Sequence, residues 1–411
     1  PGGPSRKKAN AEKGGCPLPV GKTVMKQALF RCAAFLLCLV LLPALPLLAK
    51  PSLSPAAPFS LSPGTGIPVT FTFSGRRFTA LFSEESSVPA EAAVSSLPEF
   101  RPGSAAADDA SHPPDSAEVP LTLPSHYLVL DSETGEVLQL TPKEYLLGVT
   151  AAEMPASYEP EALKAQAVAA HSYALWQMGL QLQTPDPDLK GAYLSTDPAH
   201  FQAYLSEEER RSLWGDRFNE YEAKVRSAAD TAAGLVLTSG GEPVAAAFHA
   251  LSSGKTEAAE TVWGRAEACL LSVSSPWDAE SPNLTAETTF TSAEVSAILR
   301  AHLESPALSG DPAQWISVLN RSPSGAVTEA EAAGAKVTGG EVREWFNLPS
   351  LNFSVVYSGD SFRFTTKGKG HGVGLSQYGA NAMAAQGSTF SEILLHYYSG
   401  AELTAVQLSE P

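Results

Sequence analysis

Residues 32–49 form an unbroken apolar segment, CAAFLLCLVLLPALPLLA, between Arg31 and Lys50. Its length is close to the minimum that spans the ~30 Å hydrocarbon core of a membrane as a helix. Residues 1–31 carry seven basic side chains and one acidic side chain. By the positive-inside rule, this stretch is a basic cytoplasmic N-terminus and everything after the segment is exported. We therefore expect a single-pass membrane protein anchored by residues 32–49, or a secreted protein if the segment is cleaved as a signal.

The exported part must be stable without an internal disulfide, because Cys269 is the only cysteine after residue 49. Its stability has to come from a packed core. The 411-residue chain has a formal net charge of −16, which is the wrong sign for a general nucleic-acid binder. We therefore expect no nucleic-acid partner.

Residues 50–120 are rich in proline and serine and show no helical period. This composition is typical of an extended, disordered stalk, here with short strands near residues 69–73 and 78–82. The composition changes at about residue 121 and stays typical of a globular domain to about residue 408. No internal repeat is visible in residues 121–408.

The start of the globular part predicts a hairpin and then a helix. Alternating apolar residues at 127–130 and 137–140 predict two paired strands. Thr141 and Glu144 have the spacing of a capping box, and the proline between them suits the first helical position. A proline also follows Met154, so the helix is expected to end there.

A second helix is expected from Pro160 to a C-cap at Gly179, with an alanine-rich face suited to close packing. The rest of the chain shows no regular βαβ succession. The predicted fold is α+β, a single globular extracytoplasmic domain of mixed helices and antiparallel strands over residues 121–408. The further predicted elements are helices at 221–233, 292–301 and 340–346, strands at 235–238, 244–249, 353–357 and 362–365, a strand pair within 316–337, and two C-terminal helices, the second stopped by Gly400.

Glu153 lies in the last turn of the first predicted helix, between Ala152 and Met154. Apolar surroundings disfavour a carboxylate, and so does the negative end of the helix macrodipole. Both effects favour a protonated carboxyl near neutral pH, which is the form that a general acid needs. A partly exposed glutamate at a frayed helix end is the alternative.

Residues 367–376 form a glycine-rich loop, KGKGHGVGLS, that contains one imidazole, His371. Its spacing fits neither the dinucleotide fingerprint nor the phosphate loop of nucleotide-binding proteins. Exposed backbone N–H groups beside Lys367 and Lys369 would suit an oxygen-rich or anionic ligand. A structural turn with an incidental histidine is the alternative.

Two tryptophans, Trp263 and Trp277, lie in loops bounded by glycine or proline. Each could stack against a sugar ring or close an edge of the core. His249, Cys269 and the other histidines lack the paired spacing of a zinc site. We expect neither a metal nor a cofactor.

Five separate segments of the chain together resemble the motifs of a single protein family. Two of them are PKEYLLGVTAAEMPASYEPEALKAQAVAAHSYAL (142–175) and GKGHGVGLSQYGANAMAAQGSTFSEILLHYY (368–398). Between them lie FHALSSGKTEAAETVWG (248–264), SVSSPWD (272–278) and KVTGGEVREWFNLPS (336–350). In this order they resemble the two signature blocks and the intervening motifs of the stage II sporulation protein D family. The resemblance covers about residues 121–408 and does not extend to the stalk or the N-terminus.

The resemblance implies a lytic transglycosylase of sporulation engulfment, anchored in the septal membrane. Such enzymes cut peptidoglycan glycan strands already stripped of stem peptides and leave 1,6-anhydro-N-acetylmuramic acid ends. Glu153 matches the family's catalytic acid, His371 and its glycines match an active-site loop, and Lys255 matches a polar or basic position. The substrate-binding residues expected on this basis are His171, Lys255, Lys367, Lys369, Gly370, His371, Gly372, Ser376, Gln377 and Tyr378.

The chain departs from the family pattern at three places. His171 stands where the family usually has arginine, and histidine binds a carboxylate weakly unless it is protonated. Ala250 and Leu251 replace a pair that is more usually polar. Cys269 alone cannot reproduce the Cys/His zinc site that some relatives carry.

The expected partners are peptidoglycan glycan strands, an amidase or endopeptidase similar to stage II sporulation protein P, and a membrane scaffold. Lys164 would join Lys255, Lys367 and Lys369 in a basic groove for the lactyl carboxylates of the glycan. Two other functions fit the same residues. One is a non-catalytic glycan-binding module that recruits or enhances a peptidoglycan amidase. The other is a hydrolytic muramidase, which would need a second carboxylate, with Glu159 and Asp278 as candidates.

Overall fold

The computed structural model describes residues 67–73, 76–82 and 121–408. The expected membrane segment at 32–49 and most of the expected stalk lie outside these residues. Strands β1 (Ile67–Phe73) and β2 (Arg76–Phe82) pair as an antiparallel hairpin and overlap the two short strands expected in the stalk. Among the described residues, no helix combines the length and the apolar character needed to cross a membrane.

The globular part is a succession of short strands and helices in three stretches. The first stretch contains β3 (Leu121–Leu123), β4 (Tyr127–Leu130), β5 (Val137–Leu140), α1 (Pro142–Glu153), α2 (Pro160–Gln183), β6 (Leu194–Ser195), α3 (Glu207–Trp214), α4 (Phe218–Ala232), β7 (Leu235–Ser239), β8 (Glu242–Pro243), β9 (Phe248–His249) and α5 (Ala259–Trp263). The second contains β10 (Thr285–Thr291), α6 (Ser292–His302), β11 (Ile316–Arg321), β12 (Val327–Ala332), β13 (Ala335–Thr338), α7 (Gly339–Trp345), β14 (Asn352–Ser358) and β15 (Ser361–Lys367). The third contains β16 (Leu375–Ser376), α8 (Gln377–Ala385), α9 (Phe390–Tyr397) and β17 (Glu402–Leu408).

The local start and stop signals place α1 as predicted. Thr141 accepts a hydrogen bond from the backbone of Glu144, and the Glu144 carboxylate accepts one from the Thr141 backbone, so the capping box is complete. The helix ends at Glu153, and Met154 is in an extended conformation. The sequence prediction of the second helix is wrong at its C-terminal end. Helix α2 continues through Gly179 to Gln183, one turn further than predicted.

Helix α2 is the centre of the larger core and packs against α1, α4, α8, α9 and β7. Its alanine-rich face is fully buried, as the sequence predicts. Small side chains let the neighbouring backbones approach closely, which keeps the elements around the C-terminal end of α1 in fixed positions. The residues of this face are Leu163, Ala167, Ala170 and Ala174.

The strands do not all pair antiparallel, which corrects the sequence prediction. The four-stranded sheet has the order β3-β17-β7-β8, and β17 runs parallel to β3. Short parallel pairings also join β4 to β6 and β16 to β9. Each joins strands that are separated by helices or long segments, as parallel pairing requires. The strand β17, which the sequence did not predict, lies inside the four-stranded sheet.

The buried side chains form two clusters, although the sequence predicts a single globular domain. Residues 285–367 supply the second cluster, in which the rings of Phe346, Phe353 and Phe364 pack together. This second stretch contains two antiparallel three-stranded sheets, β10-β15-β14 and β11-β12-β13. The predicted strand pair within 316–337 is therefore three strands. The chain leaves the first cluster after residue 284 and returns to it through the glycine-rich loop.

Candidate active site

Glu153 is buried at the C-terminal end of α1 and is only 6 % exposed. Burial disfavours the charged form and raises the pKa of its carboxyl to about 8. No charged side chain in residues 121–408 contributes to this shift. The carboxyl is therefore mostly protonated at neutral pH, as a general acid requires.

Two segments distant in sequence hold Glu153 in place. The backbone N–H of Ala203 donates a 2.8 Å hydrogen bond to Oε1 of the Glu153 carboxyl. The Nε2 of Gln377 donates a 2.9 Å hydrogen bond to the backbone carbonyl of Glu153 and a second, of 3.2 Å, to Oε1 of Gln166. Gln377 begins helix α8 directly after the glycine-rich loop. The loop is thereby linked to the end of α1.

The phenol groups of Tyr145 and Tyr173 are the titratable groups near the Glu153 carboxyl. Burial raises the pKa of both phenols, to about 12 for Tyr173, and the charge of Glu153 adds to the increase. Tyr145 also forms an edge-to-face pair with Tyr127 and stacks on Tyr204. The titratable groups that interact with the acid are therefore neutral phenols at neutral pH.

The glycine-rich loop lies along the segment 247–257, with several of its N–H groups already in use. The N–H of Lys369 donates to the carbonyl of Leu251, and that of Gly370 donates to Pro349. The carbonyl of Gly372 accepts from the N–H of Glu257. The loop is therefore packed against protein backbone along most of its length, and is less open than an anion-binding loop would be.

Two of the loop glycines are required by this close approach. A Cβ on Gly374 would lie 2.0 Å from the carbonyl oxygen of Ala247, and one on Gly370 would lie 2.8 Å from Cβ of His249. Both glycines also have positive φ, of +73° and +106°. Glycine is therefore needed here for chain packing, independently of any ligand.

His371 is 5 % exposed and neutral. Its Nδ1 accepts a 3.1 Å hydrogen bond from the N–H of Val373, which places any ring proton on Nε2. The ring lies between those of His249 and Trp263, at centroid distances of 5.8 and 5.5 Å. Burial is the main reason why its pKa lies well below the ordinary value. His371 therefore offers a neutral imidazole to the site and no positive charge.

Asp278 is a buried connection between three sequence blocks. It lies in a 3₁₀ turn, Pro276–Glu280, and is 0 % exposed. Its Oδ2 accepts hydrogen bonds from the N–H and the hydroxyl of Ser252, and its Oδ1 accepts one from Ser376. Ser376 is also the N-cap of α8. Both carboxylate oxygens are thus occupied, which fits a structural role.

A shallow pocket opens where the two clusters meet, beside the glycine-rich loop. The charged and polar residues in its wall are Ser252, Ser253, Lys255, Glu257, Ser350, Asn352, Lys367 and His371. Glu257 is buried and accepts hydrogen bonds from Ser322 and the N–H of Ala326, while Lys255 and Lys367 are exposed. Glu153 is not part of the pocket wall. It is connected to the pocket through Gln377 and the loop.

The four lysines of the predicted basic groove do not all lie at this pocket. Lys255 and Lys367 line it, and Lys369 is partly buried in the adjoining loop, where burial lowers its pKa. Lys164 is instead on α2 and forms a 2.7 Å ion pair with Glu161. The residues available for an anionic ligand are therefore Lys255 and Lys367, with Lys369 next to them.

The residues present do not fit a zinc site. Within the part of the chain that the structure describes, no group of three or more histidine, cysteine, aspartate or glutamate side chains could hold a metal ion. Cys269 is buried and unpaired with another cysteine.

Comparison with known proteins decides the family. A family model described as "Stage II sporulation protein" matches residues 131–239. Stage II sporulation protein D of Bacillus subtilis (strain 168) is 38 % identical over 262 residues, which is 64 % of this chain and 74 % of that protein. Its counterpart from Bacillus amyloliquefaciens is 36 % identical over 291 residues, 71 % of this chain and 81 % of that protein.

The chain belongs to the stage II sporulation protein D family. A more distant relative is the amidase enhancer of Bacillus subtilis (strain 168), 29 % identical over 308 residues, 63 % of this chain and 40 % of that protein. The stretch matched by the family model contains Glu153 and His171, whereas the glycine-rich loop lies beyond it.

His171 lies in the core and does not face the pocket, which corrects its predicted role in substrate binding. It is 0 % exposed, and its Nε2 accepts a 2.6 Å hydrogen bond from the hydroxyl of Tyr127. Its Nδ1 lies 2.9 Å from the carbonyl oxygens of both Ala232 and Leu235. Burial lowers the pKa of His171 to about 4, so the ring is neutral. Both nitrogens already have partners, and none of the ring is open to a ligand.

Of three further predicted binding residues, two have structural roles in this fold. Ser376 is fully buried, and Gln377 is 3 % exposed and bonded to Glu153 and Gln166. Tyr378 is partly exposed and lies close to Tyr158, whose pKa rises mainly through burial. Only Tyr378 of these three retains surface that a substrate could contact.

Sequence reasoning missed Ala203, Glu257 and Arg343. Ala203 contributes a backbone N–H, for which the side chain gives no signal. Glu257 lies two residues after Lys255 in the block 248–264, where the family resemblance points to the lysine. Arg343 is 4 % exposed, its Nε donates to the carbonyl of Leu348, and its charge contributes to the low pKa of His371.

Proposed function

We propose that this protein is a lytic transglycosylase that cuts the bond between N-acetylmuramic acid and N-acetylglucosamine in peptide-stripped peptidoglycan strands. The supporting observation is the environment of Glu153. Its buried carboxyl, with a pKa of about 8, is a proton donor at neutral pH. Because the chain belongs to the stage II sporulation protein D family, we propose that this reaction takes place during sporulation.

The reaction needs only one carboxyl group. Glu153 donates its proton to the glycosidic oxygen, and the bond from that oxygen to C1 of the muramyl residue breaks. The 6-hydroxyl oxygen of the same residue forms a new bond to C1 and closes the 1,6-anhydro ring. The Glu153 carboxylate then accepts the proton released by the 6-hydroxyl, so the acid is restored without a water nucleophile.

The surroundings of the two other candidate carboxylates favour this reaction over hydrolysis. A hydrolytic muramidase needs a second carboxylate on the other side of the bond. Asp278 is 0 % exposed and has both oxygens occupied by serine donors. Glu159 is an exposed N-cap residue of α2. The occupied oxygens of Asp278 and the solvent exposure of Glu159 therefore support the proposal that Glu153 acts without a second carboxylate.

The lysines at the pocket support an anionic glycan as the substrate. Removal of the stem peptide leaves a lactyl carboxylate on each muramyl residue, and exposed Lys255 and Lys367 can pair with such groups. Lys255→Glu and Lys367→Glu should weaken co-sedimentation with peptide-free strands. Lys336→Glu makes the same charge change at an exposed residue of β13, outside the pocket wall, and serves as the control. Binding that is unchanged by reversal at the pocket would contradict this part of the proposal.

A glycan-binding module that stimulates an amidase is the second candidate, and one relative is named an amidase enhancer. The small exposed fraction of Glu153, 6 %, also fits this reading. In both cases we propose export by residues 32–49. We also propose a peptidoglycan amidase or endopeptidase and a membrane scaffold as partners.

Mass spectrometry of the products from peptide-free strands separates these functions. The full chain and Glu153→Gln would be incubated with purified strands under the same conditions. Anhydro-muramyl ends that disappear in Glu153→Gln are the result expected for the transglycosylase. Reducing ends would identify a hydrolase. Intact strands that co-sediment equally with both proteins would identify a binding module.

A further inference from the structure

Residues 201–205 cross the carboxyl of Glu153 as a short strap between β6 and α3. The strap contains no helix or strand. Its first residue, Phe201, is 9 % exposed and donates its N–H to the carbonyl of Asp197 over 2.9 Å. In the middle of the strap, the N–H of Ala203 meets Oε1 of Glu153 at 2.8 Å.

The strap is fixed to both helices that carry the site. Gln202 donates a 3.0 Å hydrogen bond from Nε2 to the carbonyl of Ala170 on α2. The N–H of Leu205 donates to the carbonyl of Gly148 on α1 over 3.2 Å. The position of the Ala203 N–H is thus set by a hydrogen bond on each side of it.

Gly148 also provides the space for the ring of Tyr204. A Cβ at Gly148 would lie 2.1 Å from Cε2 of that ring, so any larger residue would displace it. The ring stacks on Tyr145 at a centroid distance of 6.4 Å and an interplanar angle of 16°. The Tyr204 ring therefore packs the strap against α1, in addition to the hydrogen bonds that the strap forms.

We propose that the 201–205 strap is a positioning element, whose Ala203 N–H fixes Oε1 of Glu153 as the acceptor oxygen and leaves Oε2 to donate the proton. This inference rests on the proposed role of Glu153 as the general acid. In a protonated carboxyl, the carbonyl oxygen accepts hydrogen bonds and the hydroxyl oxygen donates. Among residues 121–408, the hydrogen bond to the Glu153 carboxyl is made at Oε1, and no protein group bonds to Oε2.

The same N–H has a second effect after the proton has left. A hydrogen bond to a carboxylate is stronger than one to a neutral acid, so it stabilises Glu153 in the interval before the 6-hydroxyl returns a proton. The groups that face this carboxyl are the phenols of Tyr145 on α1 and Tyr173 on α2. Since no charged side chain in the described region contributes, the hydrogen bond from the Ala203 amide is the interaction that opposes the effect of burial on the Glu153 pKa.

Removing the amide should therefore change the acid in a way that simple destabilisation would not. Ala203→Pro deletes the N–H donor. The expected result is a Glu153 pKa raised by about one unit, the size of a lost charge-assisted hydrogen bond. The high-pH limb of the pH–rate profile should therefore shift to higher pH by the same amount. The kcat should fall about tenfold through misplacement of the acid, with little change in KM, because the proposed glycan contacts are at Lys255 and Lys367.

A second variant tests the strap without a proline. Gly148→Ala displaces the Tyr204 ring and should loosen the strap, with the same direction of change in pKa and in kcat. Gly234→Ala is the matched control, because Gly234 has ordinary φ and no atom within 4 Å of its added Cβ. The control should leave the pKa, kcat and KM unchanged.

The pKa would be read directly by ¹³C NMR of labelled glutamate carboxyls, with the Glu153 signal assigned by its absence in Glu153→Gln. A folded strap variant whose Glu153 pKa and rate profile match those of the wild type would overturn the inference. A pKa shift in a protein that yields no anhydro product would support the contact between strap and carboxyl and reject the proposed function. The two failures are thus distinguishable.

Discussion

Asp278 and Ser376 are 98 residues apart in the sequence and are joined in the core by a 2.9 Å hydrogen bond from the serine hydroxyl to Oδ1. The other oxygen of the same carboxylate accepts from the backbone and the hydroxyl of Ser252. Ser376 in turn caps the helix whose first residue, Gln377, holds the end of α1. One buried carboxylate thereby fixes the glycine-rich loop relative to Glu153.

Asp278→Asn should lower the free energy of unfolding by about 1–3 kcal/mol, because an amide NH₂ would face serine donors and leave buried groups unpaired. Thermal and denaturant unfolding would measure the loss. Asp216→Asn changes an exposed aspartate and should have a negligible effect. Equal stability of the two variants would contradict the role assigned to Asp278.

The elements that could be predicted from the sequence are those with local signals. The capping box of Thr141 and Glu144 fixes the start of α1, and a second box, at Thr389 and Glu392, fixes the start of α9. Strand β17 was missed because its place in the sheet depends on pairing with β3 and β7, which are distant in sequence.

The candidate site was predictable only in part, for the same reason. Glu153 could be identified because its burial follows from apolar neighbours on its own helix. His171 was misplaced, because its burial depends on Tyr127 and on the backbone of residues 232–235. The Ala203 amide gives no side-chain signal at all. Sequence patterns give the type of each residue, whereas these contacts depend on the path of backbone segments that are distant in the sequence.

Gly374→Ala should be strongly destabilising, whereas Gly264→Ala should not. The two glycines have nearly the same φ, +73° and +69°, so the backbone strain added by a Cβ is similar. Only Gly374 has a backbone oxygen, that of Ala247, 2.0 Å from the added atom. The difference between their unfolding free energies therefore measures the close approach of the loop to the segment 247–257. Similar losses in both variants would mean that conformational strain alone requires the glycine.

Glu153→Gln should stabilise the protein increasingly as the pH rises from about 4.5 to about 8. The carboxyl has an ordinary pKa of 4.5 and a folded-state pKa of about 8, so the folded state keeps its proton in this range while the unfolded state loses it. The stability that Glu153 contributes is thus present below pH 4.5 and is lost as the pH rises through the folded pKa. The advantage of the glutamine variant should grow by about 1.4 kcal/mol per pH unit and then level off.

Chemical denaturation at several pH values would measure this dependence. Glu208→Gln, an exposed change on α3, controls for the loss of one negative charge from the chain. A difference between Glu153→Gln and the wild type that does not vary with pH would show that the carboxyl titrates at its ordinary pKa.

Tyr127→Phe should destabilise the fold and leave glycan binding intact. The change removes the donor to Nε2 of His171 and leaves a fully buried nitrogen without a partner, at a cost of about 1–3 kcal/mol. The folded-state pKa of His171, about 4, lies below its ordinary value of 6.5. The stability that comes from keeping this ring neutral is therefore fully present above pH 6.5 and is lost as the pH falls through 4. The measurement is unfolding at pH 7 together with co-sedimentation on peptide-free strands. Tyr221→Phe, at a partly buried tyrosine of α4, is the control for loss of a hydroxyl. If glycan binding fell while stability was unchanged, His171 and Tyr127 would instead belong to the substrate-binding surface.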